Sequence, residues 1–191
     1  NVQRYTLAFT LSGGCTGITI TGQPVSLVRC EQFNATFTVT ANGTSPTYQW
    51  RKNTVPISGA TNPSLTLLAV DLTDQGSYDC VITNSCTNVT SNAATLTVET
   101  SPVFTQAPSS QSVCAGSPVT LSANATGTPT ITYQWRKNSL VIPGATSNTF
   151  TINAFTPGDV AGYDVVATNG CAVVVSSAAS LSLAAGPAIT A

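Results

Sequence analysis

Charged side chains are scarce in this sequence of 191 residues, and histidine and methionine do not occur in it. Lys, Arg, Asp and Glu make up 7% of the chain, and the formal net charge at pH 7 is −1. Binding to nucleic acid or to an anionic membrane surface depends on clustered basic residues, so we expect neither partner. Because histidine is missing, a Ser–His–Asp catalytic triad is excluded.

Long apolar runs are also missing, since none approaches the roughly 20 residues that a membrane-spanning helix needs. The residues that usually solvate a helix, Glu, Lys and Arg, are few. Thr and Ser, which favour strands and turns, are abundant in their place. The composition therefore predicts an all-β protein without a membrane span.

Six cysteines are present, and no two of them form a Cys-x-x-Cys pair. Zinc and haem sites usually rely on such pairs and on histidine, so we expect no metal and no cofactor. An even number of widely spaced cysteines favours a disulfide framework instead. This pattern predicts a secreted protein, located outside the cell or at its surface.

One internal repeat organises the chain. The hexapeptide Tyr-Gln-Trp-Arg-Lys-Asn begins at Tyr48 and recurs 85 residues later at Tyr133. Upstream of it the spacing is 84 residues, as between Cys30 and Cys114, which predicts one inserted residue in the loop just before the hexapeptide. A period of this length indicates duplication of a whole domain rather than a solenoid.

The repeat defines the predicted domains. Residues 16–100 and 101–185 are expected to form one domain each, joined by a short linker that Pro102 stiffens. Residues 1–15 hold a separate strand and a glycine hinge, and residues 186–191 are a tail or the start of a further module. Within each repeat, short alternating segments separated by Gly and Pro turns predict successive β-strands.

The residues around the third and sixth predicted strands resemble the immunoglobulin fold. Trp50 and Trp135 lie on the third strand of each repeat, and an Asp-x-Gly-x-Tyr run ends at Tyr78. In the second repeat the glycine is displaced by one residue and the tyrosine is Tyr163. The resemblance implies an all-β fold of two tandem immunoglobulin-like β-sandwich domains with an extra N-terminal strand. It also implies buried tryptophans and a tyrosine corner in each domain.

The cysteines depart from the usual immunoglobulin pattern. The first cysteine of the usual inter-sheet disulfide would lie near Val39 and Ala123, and neither position is cysteine. Each repeat has instead one cysteine before the second strand and one after the sixth. These duplicated positions predict two disulfides, Cys30–Cys86 and Cys114–Cys171.

Two cysteines remain outside this scheme. Cys80 lies two residues after Tyr78 and is expected to be a buried free thiol, while Cys15 lies beyond the hinge. The run that begins at Cys114, and the Asn-Gly-Cys after the sixth strand, are similar to immunoglobulin-like repeats of large bacterial surface proteins. That resemblance implies a stalk, an adhesin or a filament subunit.

Other residues that could carry chemistry have simpler interpretations. Asp71, Asp74 and Asp79 lack the spacing of a calcium loop. Asp79 and its counterpart Asp164 fall in different domains, whereas a glycosidase needs two acids in one cleft. The tryptophans and tyrosines could form a sugar-binding platform, but core positions account for them. Without a catalytic constellation, the chain is not expected to be an enzyme.

The N-terminal segment is unusual because it alternates strictly between apolar and other residues. Tyr5, Leu7, Phe9 and Leu11 would lie on one face of a strand, and Ser-Gly-Gly follows as a hinge. A free strand with an apolar face is an aggregation hazard unless something covers it. Two interpretations remain open. The strand packs on its own first domain or is the remnant of an upstream domain, or it adds to the sheet of a neighbouring subunit.

These observations lead to a hypothesis of function. We expect a non-enzymatic structural protein, a subunit of a bacterial surface filament or stalk that assembles head-to-tail with other copies of itself by strand addition. The alternative is an adhesin or carbohydrate-binding module of a longer secreted polypeptide. Its partners would then include host or environmental surfaces.

Overall fold

The computed structural model describes residues 14–185. All of the regular structure in this range is β-strand, apart from two single-turn 3-10 helices at Leu72–Asp74 and Pro157–Asp159. The chain divides into two compact units between Val98 and Glu99. The predicted N-terminal strand with Tyr5, Leu7, Phe9 and Leu11, and the predicted tail at 186–191, lie outside the described residues.

The described residues of the first unit, called domain 1, form ten strands. They are β1 Thr19–Gly22, β2 Leu27–Cys30, β3 Ala35–Thr38, β4 Thr40–Asn42, β5 Thr47–Lys52, β6 Val55–Pro56, β7 Ser64–Leu67, β8 Gly76–Thr83, β9 Asn88–Thr90 and β10 Ala94–Glu99, whose last residue passes the division.

The second unit, domain 2, repeats the series. Its strands are β11 Val103–Gln106, β12 Gln111–Val113, β13 Val119–Ser122, β14 Asn124–Thr126, β15 Thr132–Lys137, β16 Leu140–Val141, β17 Thr149–Ile152, β18 Ala161–Thr168, β19 Val173–Val175 and β20 Ala179–Leu183.

Each domain is a β-sandwich. In domain 1 the larger sheet has the order β2-β10-β8-β5-β6, with β9 added to β8, and the pairs β1–β4 and β3–β7 form the opposite layer. Domain 2 has the same order, β12-β20-β18-β15-β16, with β19 on β18 and the pairs β11–β14 and β13–β17 opposite. The predicted all-β immunoglobulin-like sandwich is confirmed for both domains.

The core of each sandwich follows from alternation along the strands. On β8, Tyr78, Cys80 and Ile82 are buried while the residues between them are partly exposed. Strand side chains point alternately to the two faces, so every second residue enters the core. Trp50 and Trp135, at equivalent positions of β5 and β15, are both completely buried.

The Phe–Leu pair that faces the core tryptophan is reversed between the two domains. In domain 1 Phe37 of β3 faces Leu65 of β7, and in domain 2 Leu121 of β13 faces Phe150 of β17. Phe37 and Phe150 each lie beside the core tryptophan, with ring centroids 6.2 Å and 6.0 Å apart. The aromatic ring has therefore crossed to the partner strand while the Phe–Leu pair is retained, which keeps the volume of this pair unchanged. Domain 2 also buries Phe155 at the position where domain 1 buries Val70.

The change of repeat spacing has a structural cause. Strands before the hexapeptide are displaced by 84 residues between domains and strands after it by 85, and the extra residue lies between β14 and β15. At the start of this loop Gly43 and Gly127 have φ of +140° and +151°. A Cβ on Gly127 would lie 2.9 Å from the Ser101 carbonyl oxygen, just before β11, the first strand of domain 2. Only glycine allows the two backbone segments to come this close.

Candidate functional site

The described part of neither domain contains a pocket. The side chains that could bind a ligand or react are instead concentrated at three places in each domain. These are the turn before β8 or β18, the outer face of the larger sheet, and the end where β8 or β18 finishes. Within residues 14–185 there is no helix long and apolar enough to cross a membrane.

The tyrosine corner is present in both domains. The Tyr78 hydroxyl donates to the Asp74 carbonyl oxygen at 2.6 Å, and the Tyr163 hydroxyl donates to that of Asp159 at 3.0 Å. Burial raises the pKa of Tyr78 to about 12 and also raises that of Tyr163. Both rings are buried, so these tyrosines fix the turn before the strand and are not part of a sugar-binding platform.

Two bidentate ion pairs occupy the outer face of the larger sheets. Arg51 Nε and Nη2 donate to the two carboxylate oxygens of Asp79 at 2.7 Å and 2.8 Å. Arg136 and Asp164 repeat this arrangement at 2.6 Å and 3.0 Å. The two residues of each pair lie directly opposite each other on adjacent strands. The hydrogen bond to the aspartate raises the pKa of each arginine. Asp79 and Asp164 thus each have an arginine partner within their own domain.

The other acidic residues considered for calcium also have local partners. Asp71 accepts hydrogen bonds from the backbone and side chain of Thr73, which lower the pKa of its carboxyl group. Asp74 accepts from the backbone N–H of Asp71 at 3.0 Å, completing a reciprocal cap on the 3-10 turn. This is the capping-box arrangement of a helix start and gives each carboxylate a structural role.

The disulfide in domain 1 is not the predicted one. Cys86 is bonded to Cys15, across a separation of 71 residues, so the expected pair Cys30–Cys86 is corrected. Cys114 is an exposed free thiol, so the expected pair Cys114–Cys171 is corrected as well.

The physical reason for both corrections is the length of the sixth strand. In domain 2 Val113 lies opposite Leu183, beyond the point where Ala161 at the start of β18 faces Leu181. Cys114 therefore lies near the start of β18, whereas Cys171 follows its end. Eight residues of strand separate two such sites by about 26 Å, and a disulfide requires Cα atoms within about 7 Å.

Two asparagines that the sequence analysis did not single out organise the other end of each sandwich. Asn84 Nδ2 donates to the carbonyl oxygens of Thr16 at 2.8 Å and Thr44 at 3.0 Å. Its Oδ1 accepts from the backbone N–H groups of Cys86 and Thr87, both at 2.9 Å. One side chain thereby joins the entry to β1, the loop before β5 and the turn after β8, and it holds Cys86 near Cys15.

Asn169 makes the same four hydrogen bonds in domain 2. It donates to the carbonyl oxygens of Thr100 and Thr128 and accepts from the N–H groups of Cys171 and Ala172. The signal in the sequence is that these asparagines are 85 residues apart and each stands two residues before a cysteine. We call Asn84 and Asn169 the strand-end asparagines.

Cys80 is a buried free thiol, as expected. It is completely buried beside Trp50, and burial raises its pKa to about 11. Because the thiolate is the reactive form, such a cysteine is a poor nucleophile at neutral pH. Val165 replaces it in domain 2 and is equally buried.

A model of the immunoglobulin domain matches residues 18–84 and 101–169. The chain belongs to the immunoglobulin domain family. The highly immunogenic outer capsid protein of Enterobacteria phage T4 is 32% identical over 169 residues, covering 82% of this chain and 42% of the phage protein. Human Roundabout homolog 1 is 30% identical over 135 residues, covering 65% of this chain and 8% of its own length. The chain therefore spans less than half the length of these relatives.

Solved structures agree on the fold. The I-band fragment I67–I69 of titin superposes with a TM-score of 0.77 at 22% identity, covering 87% of this chain and 65% of the fragment. Sidekick-1 immunoglobulin domains 1–4 superpose with a TM-score of 0.69 at 20% identity, covering 88% of this chain and 49% of theirs. At these identities the likeness concerns the fold alone.

Proposed function

We propose that this chain is a non-enzymatic module of a protein displayed outside a cell or on a particle, where it serves as a structural spacer and an adhesion surface. The observation that carries the proposal is the internal satisfaction of its polar groups. Among the described residues, no buried side-chain nitrogen or oxygen lacks a hydrogen-bond partner. Arg51, Arg136, Tyr78 and Tyr163 have their hydrogen-bond partners within their own domains. The exposed faces of the strands are therefore left for interaction with other molecules.

Two further observations support an exterior location. A disulfide such as Cys15–Cys86 persists in oxidising compartments. The phage relative is named as an outer capsid protein, and immunoglobulin domains make up the matched regions of this chain. Secretion or display of this chain is the corresponding part of the proposal.

Antibody labelling tests the proposed display. Antibodies against the purified chain should label intact source cells or particles in electron microscopy to the same extent as disrupted ones. Labelling that requires disruption would contradict the proposal. An antibody against an internal protein of the same source is the control that the samples are intact.

A head-to-tail filament is a second candidate, and the open sheet edges favour it. Within the described residues β7 pairs only with β3, and β17 only with β13, so each leaves one row of backbone groups for an added strand. The alternating segment with Leu7 and Phe9 is the strand proposed to be donated. Deleting residues 1–14, or replacing Leu7 and Phe9 by Asp, should abolish filaments seen by electron microscopy. Filaments that persist in both variants would remove this candidate.

A further inference from the structure

The outer faces of the two larger sheets differ on the strand that is added to β8 or β18. On β9 of domain 1 the outward positions are Asn88 and Thr90, and the equivalent positions on β19 of domain 2 are Val173 and Val175. These two valines are 66% and 46% exposed. The duplicated framework is thus polar at this place in one domain and apolar in the other.

Strand register places further valines on the same face of domain 2. Val175 lies directly opposite Val166 of β18, and Val141 of β16 lies directly opposite Arg136 of β15. Directly opposite residues of an antiparallel pair project to the same side of the sheet. Val141 is 59% exposed. We call Val141, Val166, Val173 and Val175 the valine face.

The ion pair Arg136–Asp164 lies between Val141 of β16 on one side and Val173 and Val175 of β19 on the other. Val166 is the next residue on this face along β18 from Asp164. The pair occupies the adjacent strands β15 and β18, one residue directly across from the other. Its side chains remain partly accessible, at 23% for Arg136 and 11% for Asp164. The face therefore carries one positive and one negative group among the valines, and Gln134, directly opposite Val166, adds an uncharged polar group.

We propose that the valine face of domain 2 binds a second copy of the same face in a two-fold dimer. An axis parallel to the strands and passing between β15 and β18 exchanges the two sides of the face. It brings Arg136 of each copy towards the partner subunit's Asp164. The same rotation brings Val141 of each copy towards the side that carries the partner's Val173 and Val175.

Charge complementarity selects a second copy over other occupants. An isologous interface requires a patch that is complementary to itself, and a neighbouring arginine and aspartate meet this requirement without like charges in contact. Exposed valines on β-strands also suit face-to-face packing because they are stiff and make a flat apolar layer. Domain 1 retains the ion pair Arg51–Asp79 and has Val81 in place of Val166. The other three valines are replaced by Pro56, Asn88 and Thr90, so most of the valine face is missing.

Sedimentation velocity over a range of concentrations tests the dimer. The wild-type chain should dimerise as concentration rises, and the double variant Val173→Thr, Val175→Thr should weaken the dimer about tenfold or more. Threonine keeps the shape and strand preference of valine, so the variant should fold with an unchanged circular dichroism spectrum. A wild-type chain that remains monomeric, or a double variant that dimerises equally well, would overturn the proposal.

Matched variants locate the interface. Asn88→Val with Thr90→Val transfers the valines to domain 1 and should add a second association step, giving species larger than a dimer. Leu7→Asp with Phe9→Asp should leave the dimer intact, and its loss would assign the face to the N-terminal segment and overturn the second-copy proposal. Failure of this dimer leaves the proposed surface display unaffected, because antibody labelling measures display independently.

Discussion

The two domains solve the same packing problem with different residues. Both bury one tryptophan, close one tyrosine corner and hold one arginine–aspartate pair on the outer sheet face. Domain 1 packs Phe37 against Leu65, whereas domain 2 packs Phe150 against Leu121. The comparison teaches that this place in the core requires a certain combined volume from the two facing residues. Either strand can supply the larger residue.

The domains differ more at the end where the sixth strand finishes. Domain 1 has the Cys15–Cys86 disulfide there, and in domain 2 the position equivalent to Cys15 is Glu99. Both domains retain a strand-end asparagine at this place. In domain 1 the disulfide and Asn84 act on the same end, so removing each of them in turn separates their contributions.

The largest expected effect comes from removing the disulfide. The double variant Cys15→Ser, Cys86→Ser should lower the free energy of unfolding of domain 1 by about 4 kcal/mol, because it opens a loop of 71 residues. Native-state hydrogen exchange read by mass spectrometry reports each domain separately. Domain 2 peptides serve as the internal control and should keep their protection. Equal losses of protection in both domains would show that the fastening is not local to domain 1.

The next effect should come from the strand-end asparagines. Asn169→Ala should cost domain 2 about 1–3 kcal/mol, because it leaves backbone groups in three segments without their partner. Asn84→Ala should cost domain 1 less while the Cys15–Cys86 disulfide is intact than after its removal, since the disulfide holds the same end. The measurement is urea denaturation followed by hydrogen exchange of each domain.

Asn84→Ala in the disulfide-free background sharpens this result. There Asn84→Ala should cost more than it does with the disulfide intact. Equal costs in the two backgrounds would show that the disulfide and the asparagine act independently.

A smaller and symmetric effect is expected at the tyrosine corners. Tyr78→Phe and Tyr163→Phe should each cost about 1 kcal/mol, because one hydrogen bond to a backbone carbonyl is lost while the ring stays packed. Thermal or urea unfolding of the single variants measures it. A clear difference between the two would show that the equivalent corners do not contribute equally.

The smallest effect at neutral pH is expected at Cys80. Cys80→Val, which copies Val165 of domain 2, should change stability by less than about 1 kcal/mol at pH 7, because it nearly conserves volume. The contribution of the Cys80 thiol to stability should become measurable at alkaline pH. Its pKa is raised to about 11 from 9.0, so its contribution to stability is complete below pH 9 and is lost as pH rises through 11. Domain 1 should therefore weaken between pH 9 and 11, and the variant should weaken less.

Alkylation at pH 8 provides a second measurement of the same thiol. Exposed Cys114 should react with iodoacetamide far faster than Cys80 in the folded chain, and unfolding in urea should remove the difference. Comparable rates in the native state would mean that domain 1 opens readily around Cys80.

Much of the fold could be predicted because alternation and duplication are visible in the sequence. The inserted residue, the all-β sandwich and the buried positions of Trp50 and Trp135 follow from patterns that repeat at a fixed spacing. The role of the strand-end asparagines could not be predicted in this way. Asn84 contacts a residue 68 positions away and Asn169 one 69 positions away, and nothing in a local pattern tells where those distant backbone groups will lie.

By itself, the sequence determined the number of domains, their class and the residues that fill their cores, because strand periodicity and burial are local properties. Only the tertiary structure decided which cysteines pair. Equivalent positions suggested Cys30 with Cys86, but an eight-residue strand separates the two ends of the sandwich, and a disulfide joins only residues whose Cα atoms come within about 7 Å. The fold brings Cys15 to Cys86, with Cα atoms 6.0 Å apart, because the chain enters the sandwich where the sixth strand finishes.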